Sequence, residues 1–231
     1  MPPPQSSSIP ARSPAQQPSF RARFLQSWSV FAVQIAVGFA LIEAALWEGR
    51  HIAPWAWLAL AWIVACTLAS GFSCRELGLG GRGLRTALWV AGAGLLLAGG
   101  IVAGGALAGT LHTYSNQPHP ALGSLLYLGW ALGQEFILQS FFFVRLEKIL
   151  RSGRKAVWAA SQFFFLAHLP NPVLLIVAAF AGPLLCELFR RYRNIYPLAL
   201  GHALVGLALA AAIPDLIHHQ MKVGMAYFHW L

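Results

Sequence analysis

From residue 28 onward the chain alternates long apolar runs with short polar ones. The runs cover residues 28–47, 54–72, 86–109, 122–144, 156–168, 173–188 and 197–213. Most approach or exceed the ~17–25 apolar residues that a helix needs to cross a hydrocarbon layer about 30 Å thick. The fifth run is the exception, broken after His168 where Pro170 and Pro172 withdraw backbone donors. The pattern predicts an all-α, polytopic membrane bundle of about seven transmembrane helices.

Composition supports that reading. The 231 residues are 58% hydrophobic and 10% charged, against about 25% charged in an ordinary soluble domain. Residues 1–24, rich in proline and serine, have little to bury and are expected to form a disordered cytoplasmic tail. Residues 25–231 then form a single membrane domain. The first run lacks a short core followed by a small-residue cleavage site, so it is expected to stay in the mature protein.

The net charge of +9 does not indicate nucleic acid, because the basic residues sit in short clusters between apolar runs. Fourteen of the sixteen fall on one side of an alternating topology, leaving Arg50 and Lys222 on the other. Cytoplasmic loops carry the Lys and Arg excess, so the N-terminus is expected in the cytoplasm and the tail outside. Three cysteines, Cys66, Cys74 and Cys186, show no paired spacing that would indicate disulfides or a zinc knuckle.

Several features have plain readings. Glu43, near the end of the first run, is expected to snorkel or bond between helices. The glycines of residues 74–85 have neither a preceding strand nor a Gly-Lys-Ser/Thr ending, and read as a turn rather than a phosphate loop. The spacings Gly100 to Gly104 and Gly105 to Gly109 read as close helix packing.

The chemistry lies in the fourth, fifth and seventh runs. Glu135, flanked by Gln134 and followed one turn later by Gln139, sits inside an apolar helix, where ionisable groups are costly and normally face a cavity or a partner. His168 and His202 are the other candidates. Glu135 is ten residues from Arg145, His168 thirteen from Lys155 and His202 nine from Arg193. At 1.5 Å per residue all three lie roughly 14–20 Å from the basic edge. Three polar groups at one depth are expected to cluster. A carboxylate with two imidazoles can bind a metal, activate water or relay protons. His51, His112, His119, His218, His219 and His229 map to outer loops or the tail and receive no role.

These residues resemble the CPBP family of intramembrane proteases, which includes the type II CAAX prenyl endopeptidases and bacteriocin-processing or immunity proteins. That family's first motif is two glutamates followed after three residues by arginine, its second Phe-x-x-x-His, and its third a histidine followed four residues later by asparagine. Phe164 and His168, with Asn171 just beyond, match the second, and His202 matches the third. Gln134 stands at the first glutamate, Gln139 at the arginine and Gly206 at the asparagine. The motif-bearing core is placed at about residues 122–213. The resemblance implies a glutamate and a histidine that activate water, and a second histidine that stabilises the oxyanion.

The leading expectation is an intramembrane endopeptidase that cleaves a membrane-linked or prenylated peptide or protein, with Glu135, His168 and His202 catalytic. Gln134, Gln139, Phe164 and Asn171 would line or support the cavity. Because an amide cannot act as a base, a non-cutting relative serving as a binding, immunity or assembly scaffold is the alternative, and a small proton-coupled transporter a third. No cofactor is expected, although zinc held by Glu135, His168 and His202 stays open. The partners are membrane lipids and the substrate, with no nucleic acid, and the setting is a bacterial-type inner membrane.

Overall fold

The computed structural model describes residues 27–49, 52–112 and 120–229; the expected disordered tail and most of the loop after His112 lie outside them. The described residues contain no β-strand. The helices are α1 (Trp28–Trp47), α2 (Ile52–Ala69), α3 (Leu84–Ala108), α4 (Pro120–Glu135), a π-helical segment (Phe136–Phe143), α5 (Val144–Leu150), α6 (Gly153–Leu166), α7 (Pro172–Tyr192), α8 (Tyr196–Ala212), α9 (Asp215–His218), a short 3₁₀ turn (His219–Met221) and α10 (Met225–Phe228).

Local chemistry sets the helix ends. Ser27 caps α1 and Ser152 caps α6, each hydroxyl accepting from a backbone N–H three residues on. Asn171 caps α7 by accepting from the N–H groups of Val173 and Leu174, and Pro172 opens the helix where no donor is needed. By length and apolarity α1, α3 and α7 are each able to cross a membrane, and α8 joins them if it counts with the segment after it, bent by 119°, as one span. The large exposed side chains, such as Leu68, Leu96, Leu107 and Phe180, present an apolar outer surface suited to lipid.

α1 pairs with α2, α6 with α7, and α8 packs against both α3 and α4. Small residues make the α3–α8 contact possible, at positions other than those the spacing suggested. A methyl group on Gly94 would come within 2.6 Å of the Gly201 Cα, and one on Gly105 within 2.8 Å of the Ala212 Cβ, whereas among the described residues Gly100, Gly104 and Gly109 meet nothing within 4 Å. The glycine-x-x-x-glycine reading is therefore corrected: the stripe that approaches α8 is Gly94 and Gly105, and Gly100 and Gly104 face away from it.

The core centres on the π-helical segment, where Phe142 stacks on Phe163 with ring centres 4.7 Å apart and Phe143 meets Phe189 edge-on at 5.5 Å. Arg145 belongs to this core. The basic-edge reading is corrected here, because Arg145 is fully buried. Its Nε donates to Gln34 Oε1 at 2.7 Å, its Nη1 to the Phe141 carbonyl at 3.0 Å, and its guanidinium lies 4.2 Å from the Phe141 ring centre. A delocalised, weakly hydrated cation with a bonded amide and an aromatic face can sit where a lysine could not. Depth measured from Arg145 thus starts inside the fold. Glu43, half-buried in the first run, accepts from Trp47 Nε1 at 2.9 Å within its own helix.

The glycine-rich loop is sewn to the α7–α8 connection. Asn194 Nδ2 donates to the carbonyls of Gly80 and Arg82, the Ile195 N–H donates to Gly78, and Ser140 Oγ donates to Leu77 at 2.6 Å.

Candidate active site

α4 ends at Glu135, and α8 carries His202 past it. The carboxyl group is fully buried, and each of its oxygens has a hydrogen-bond partner among the described residues. His202 Nδ1 donates to Oε1 at 2.9 Å and Gln139 Nε2 to Oε2 at 3.1 Å. Once Nδ1 carries the proton, the lone pair of His202 is on Nε2. His168, at the end of α6, is fixed in the same sense, with Nδ1 donating to the Phe164 carbonyl at 2.6 Å. The Phe164 ring neighbours both imidazoles, 4.5 Å from His168 and 5.9 Å from His202, centre to centre. Three residues far apart in sequence therefore present two imidazoles with Nε2 available, one of them backed by a buried carboxylate.

These groups border a cavity of about 560 Å³ whose wall is mostly aliphatic and aromatic. Its polar lining includes Gln134, Tyr127, His168 and His202. Glu135 and Gln139 stand behind His202, off that wall. The adjacent residues 134 and 135 point about 100° apart on the helix, so the amide reaches the cavity while the carboxylate reaches the imidazole. Gly206, one turn beyond His202, also lines the cavity, and a methyl group there would collide with the Tyr127 hydroxyl. That hydroxyl fills the space a longer side chain at 206 would take.

Asn171 also stays off the cavity wall. Fully buried, it donates from Nδ2 to the carbonyls of His218 at 2.7 Å and Lys222 at 3.0 Å while capping α7. It thereby holds the tail against the break between α6 and α7, and Met221 and Lys222 of that tail close part of the cavity. Three residues escaped the reading of the sequence. Tyr127 is an aromatic residue in an apolar helix and gives no polar signal. Gln34 could have been noticed as an amide inside the first run. Cys186 is fully buried and lies near Glu135.

Residues 116–208 match the family model described as Rce1-like, type II CAAX prenyl endopeptidase Rce1-like. No curated protein and no solved structure matches the chain.

Proposed function

We propose that the chain, whose residues 116–208 match the type II CAAX prenyl endopeptidase Rce1-like family model, is an intramembrane protease of the CPBP type that hydrolyses a peptide bond of a prenylated or otherwise membrane-anchored substrate with an imidazole-activated water. The observation that carries this reading is the Glu135–His202 hydrogen bond at the edge of an apolar cavity, with His168 beside Phe164. The protein works as an integral membrane enzyme, placed in a bacterial-type inner membrane with its N-terminus in the cytoplasm.

In this mechanism His202 Nε2 accepts a proton from water as the oxygen attacks the scissile carbonyl carbon, and His168 Nε2 orients that water. Glu135 is a positioning residue. It fixes the tautomer of His202 and stabilises the imidazolium that forms, as a buried carboxylate does behind a histidine base. The carbonyl oxygen takes the electron pair and becomes an oxyanion, for which the Tyr127 hydroxyl and the Gln134 amide are the donors on the wall. Collapse of the tetrahedral species breaks the C–N bond, and the proton held by His202 passes to the leaving amine. An apolar cavity strengthens each of these electrostatic contributions by limiting water, and it accommodates an isoprenyl chain or apolar peptide. The mechanism uses no metal.

The test is turnover of a CAAX-type peptide bearing a prenylated cysteine by the purified protein in detergent, in the presence of a chelator. His202→Ala and His168→Ala should abolish turnover. Glu135→Gln should lower kcat and change the pH profile while leaving KM near its original value. Native turnover that survives both histidine substitutions would end the proposal, and turnover lost in chelator and restored by zinc would replace its mechanism.

One observation favours a second reading, in which the cavity binds such a substrate without cutting it. The residue that faces the cavity in the first motif is the amide Gln134. If Gln134→Glu creates turnover that the native chain lacks, the binding role holds.

A further inference from the structure

α3 and α8, the most intimately packed helices of the fold, end side by side, and the chain leaving each of them is tied to the other. Thr110 Oγ1 donates to the Ala212 carbonyl at 2.7 Å and the His112 N–H to the Ala211 carbonyl at 3.0 Å. This clasp lies at the end of α8 opposite Arg193 and His202, so it is separate from the cavity chemistry. It brings His112 together with Asp215 and His218, the first and last residues of α9.

His112 Nε2 lies 3.5 Å from Asp215 Oδ1, and His218 Nε2 lies 3.6 Å from the same oxygen. All three atoms fall within 4.8 Å of one another. Ligand atoms about 2.0–2.1 Å from a tetrahedral zinc ion are separated by roughly 3.3–3.5 Å, so the two measured edges are close to those of a loaded site. The His112 ring is already in the ligating tautomer: its Nδ1 donates to the Thr110 carbonyl at 3.0 Å, which places the lone pair on Nε2. That Nε2 is buried and has no hydrogen-bond partner among the described residues, and a buried nitrogen lone pair left unused is the atom a cation would satisfy.

We propose that His112, Asp215 and His218 form a binding site for a divalent cation of the zinc type, with the fourth position open to water or an outside ligand. Two imidazoles and one carboxylate are a ligand set that zinc favours over calcium or magnesium. His218 has to adjust to complete the site. Its Nδ1 accepts from the Met221 N–H at 3.2 Å, and its Nε2 is directed at the Ala210 carbonyl at 3.4 Å. Ligation through Nε2 therefore moves the ring proton to Nδ1, with no net proton released, and turns the Met221 N–H away. The segment concerned is under strain, because His219, Gln220 and Met221 have φ of +48°, +52° and +59° in succession. Met221 also lines the cavity, so filling the site moves one cavity residue.

The experiment uses the full chain in detergent, carrying no polyhistidine tag, stripped with chelator and titrated with Zn²⁺ against a chromophoric competitor. The expected result is one zinc per chain, with Co²⁺ in its place giving the visible absorption of a four-coordinate nitrogen and oxygen site. His112→Ala and Asp215→Asn should weaken binding by more than the ~10–100-fold typical of changes outside the ligand shell. Glu135→Gln and His168→Ala should leave it intact, which separates this site from the catalytic proposal. Thermal unfolding of the metal-free variants shows whether each is folded, and His112→Gln serves if His112→Ala is not. Absence of stoichiometric zinc, native affinity in folded His112 and Asp215 variants, or loss of zinc in Glu135→Gln would each overturn the site.

Discussion

The hydroxyl of Tyr127 occupies the space that any side chain at Gly206 would require. Both residues line the cavity beside His202, so a hydroxyl delivered from α4 stands beside a position that gives up its own side chain on α8.

If that hydroxyl donates to the oxyanion, Tyr127→Phe should lower kcat by ~10²-fold with KM little changed, the usual cost of one lost donor. Gly206→Asn alone should be poorly folded because of the collision, and Tyr127→Ala combined with Gly206→Asn should recover folding. Steady-state kinetics and thermal unfolding of the three variants check the pairing. Tyr127→Phe with unchanged kcat would remove Tyr127 from the mechanism.

Arg145 and Gln34 form a buried pair whose halves depend on each other. Gln34→Leu leaves a buried cation with less hydrogen bonding, and Arg145→Met leaves an amide without its donor. Each should cost about 2–4 kcal/mol, and the double variant less than the sum of the two. Thermal unfolding of all four proteins in one detergent measures the coupling, and strict additivity would contradict it.

Gly94 and Gly100 sit on one helix six residues apart and should respond in opposite directions to the same change. Gly94→Ala drives a methyl group into the backbone of α8 and should destabilise the protein by about 1–3 kcal/mol. Gly100→Ala meets open space and should stabilise it by up to about 1 kcal/mol through helix propensity. Unfolding temperatures decide between this assignment and one in which Gly100 packs on a neighbour.

Glu76, in the loop after α2, contributes stability that depends on pH. Partial burial pushes its carboxyl upward, but hydrogen bonds from Ser73 and Lys148 outweigh that and hold it below the ordinary value of 4.5. A depressed folded-state pKa means the stabilisation is present above the unfolded value and fades as pH falls through the lower, folded value. The native chain should thus exceed Glu76→Gln in stability at neutral pH by well under ~1 kcal/mol, since both partners are solvent-screened. The gap should close in acid; a gap that widens there would contradict the sign.

Much of the helical layout is legible in the sequence, because apolar run length and proline or glycine breaks fix helix positions locally. Residues 28–47 and α1 coincide, and the break after His168 falls where α6 ends. The approach of His202 to Glu135 could be anticipated because buried polar groups at one depth have few other partners. Arg145 misled, since a basic residue at the end of an apolar run looks the same in one dimension whether it faces water or an aromatic cage. The α3–α8 stripe was misplaced because spacing identifies glycines that could pack, and only the neighbouring helix determines which of them do. Tyr127 and the His112 clasp depend on contacts between segments remote in sequence, which no local pattern records.

The π-helical segment gives the fourth run a phase shift. The turns from Phe136 to Phe143 are wider than those of an ordinary helix, and residues 138–146 are buried without interruption, so the helix is enclosed on all sides there. Everything downstream of Glu135 is clocked by that widening. Winding the same residues as ordinary α-helix would turn the chain further over Phe136 to Phe143 and rotate everything after it relative to Glu135, carrying Arg145 away from Gln34 while leaving Glu135 and its upstream neighbours in register. The width of those turns therefore sets whether the half of this helix that carries Glu135 and the half that anchors Arg145 can be satisfied at the same time.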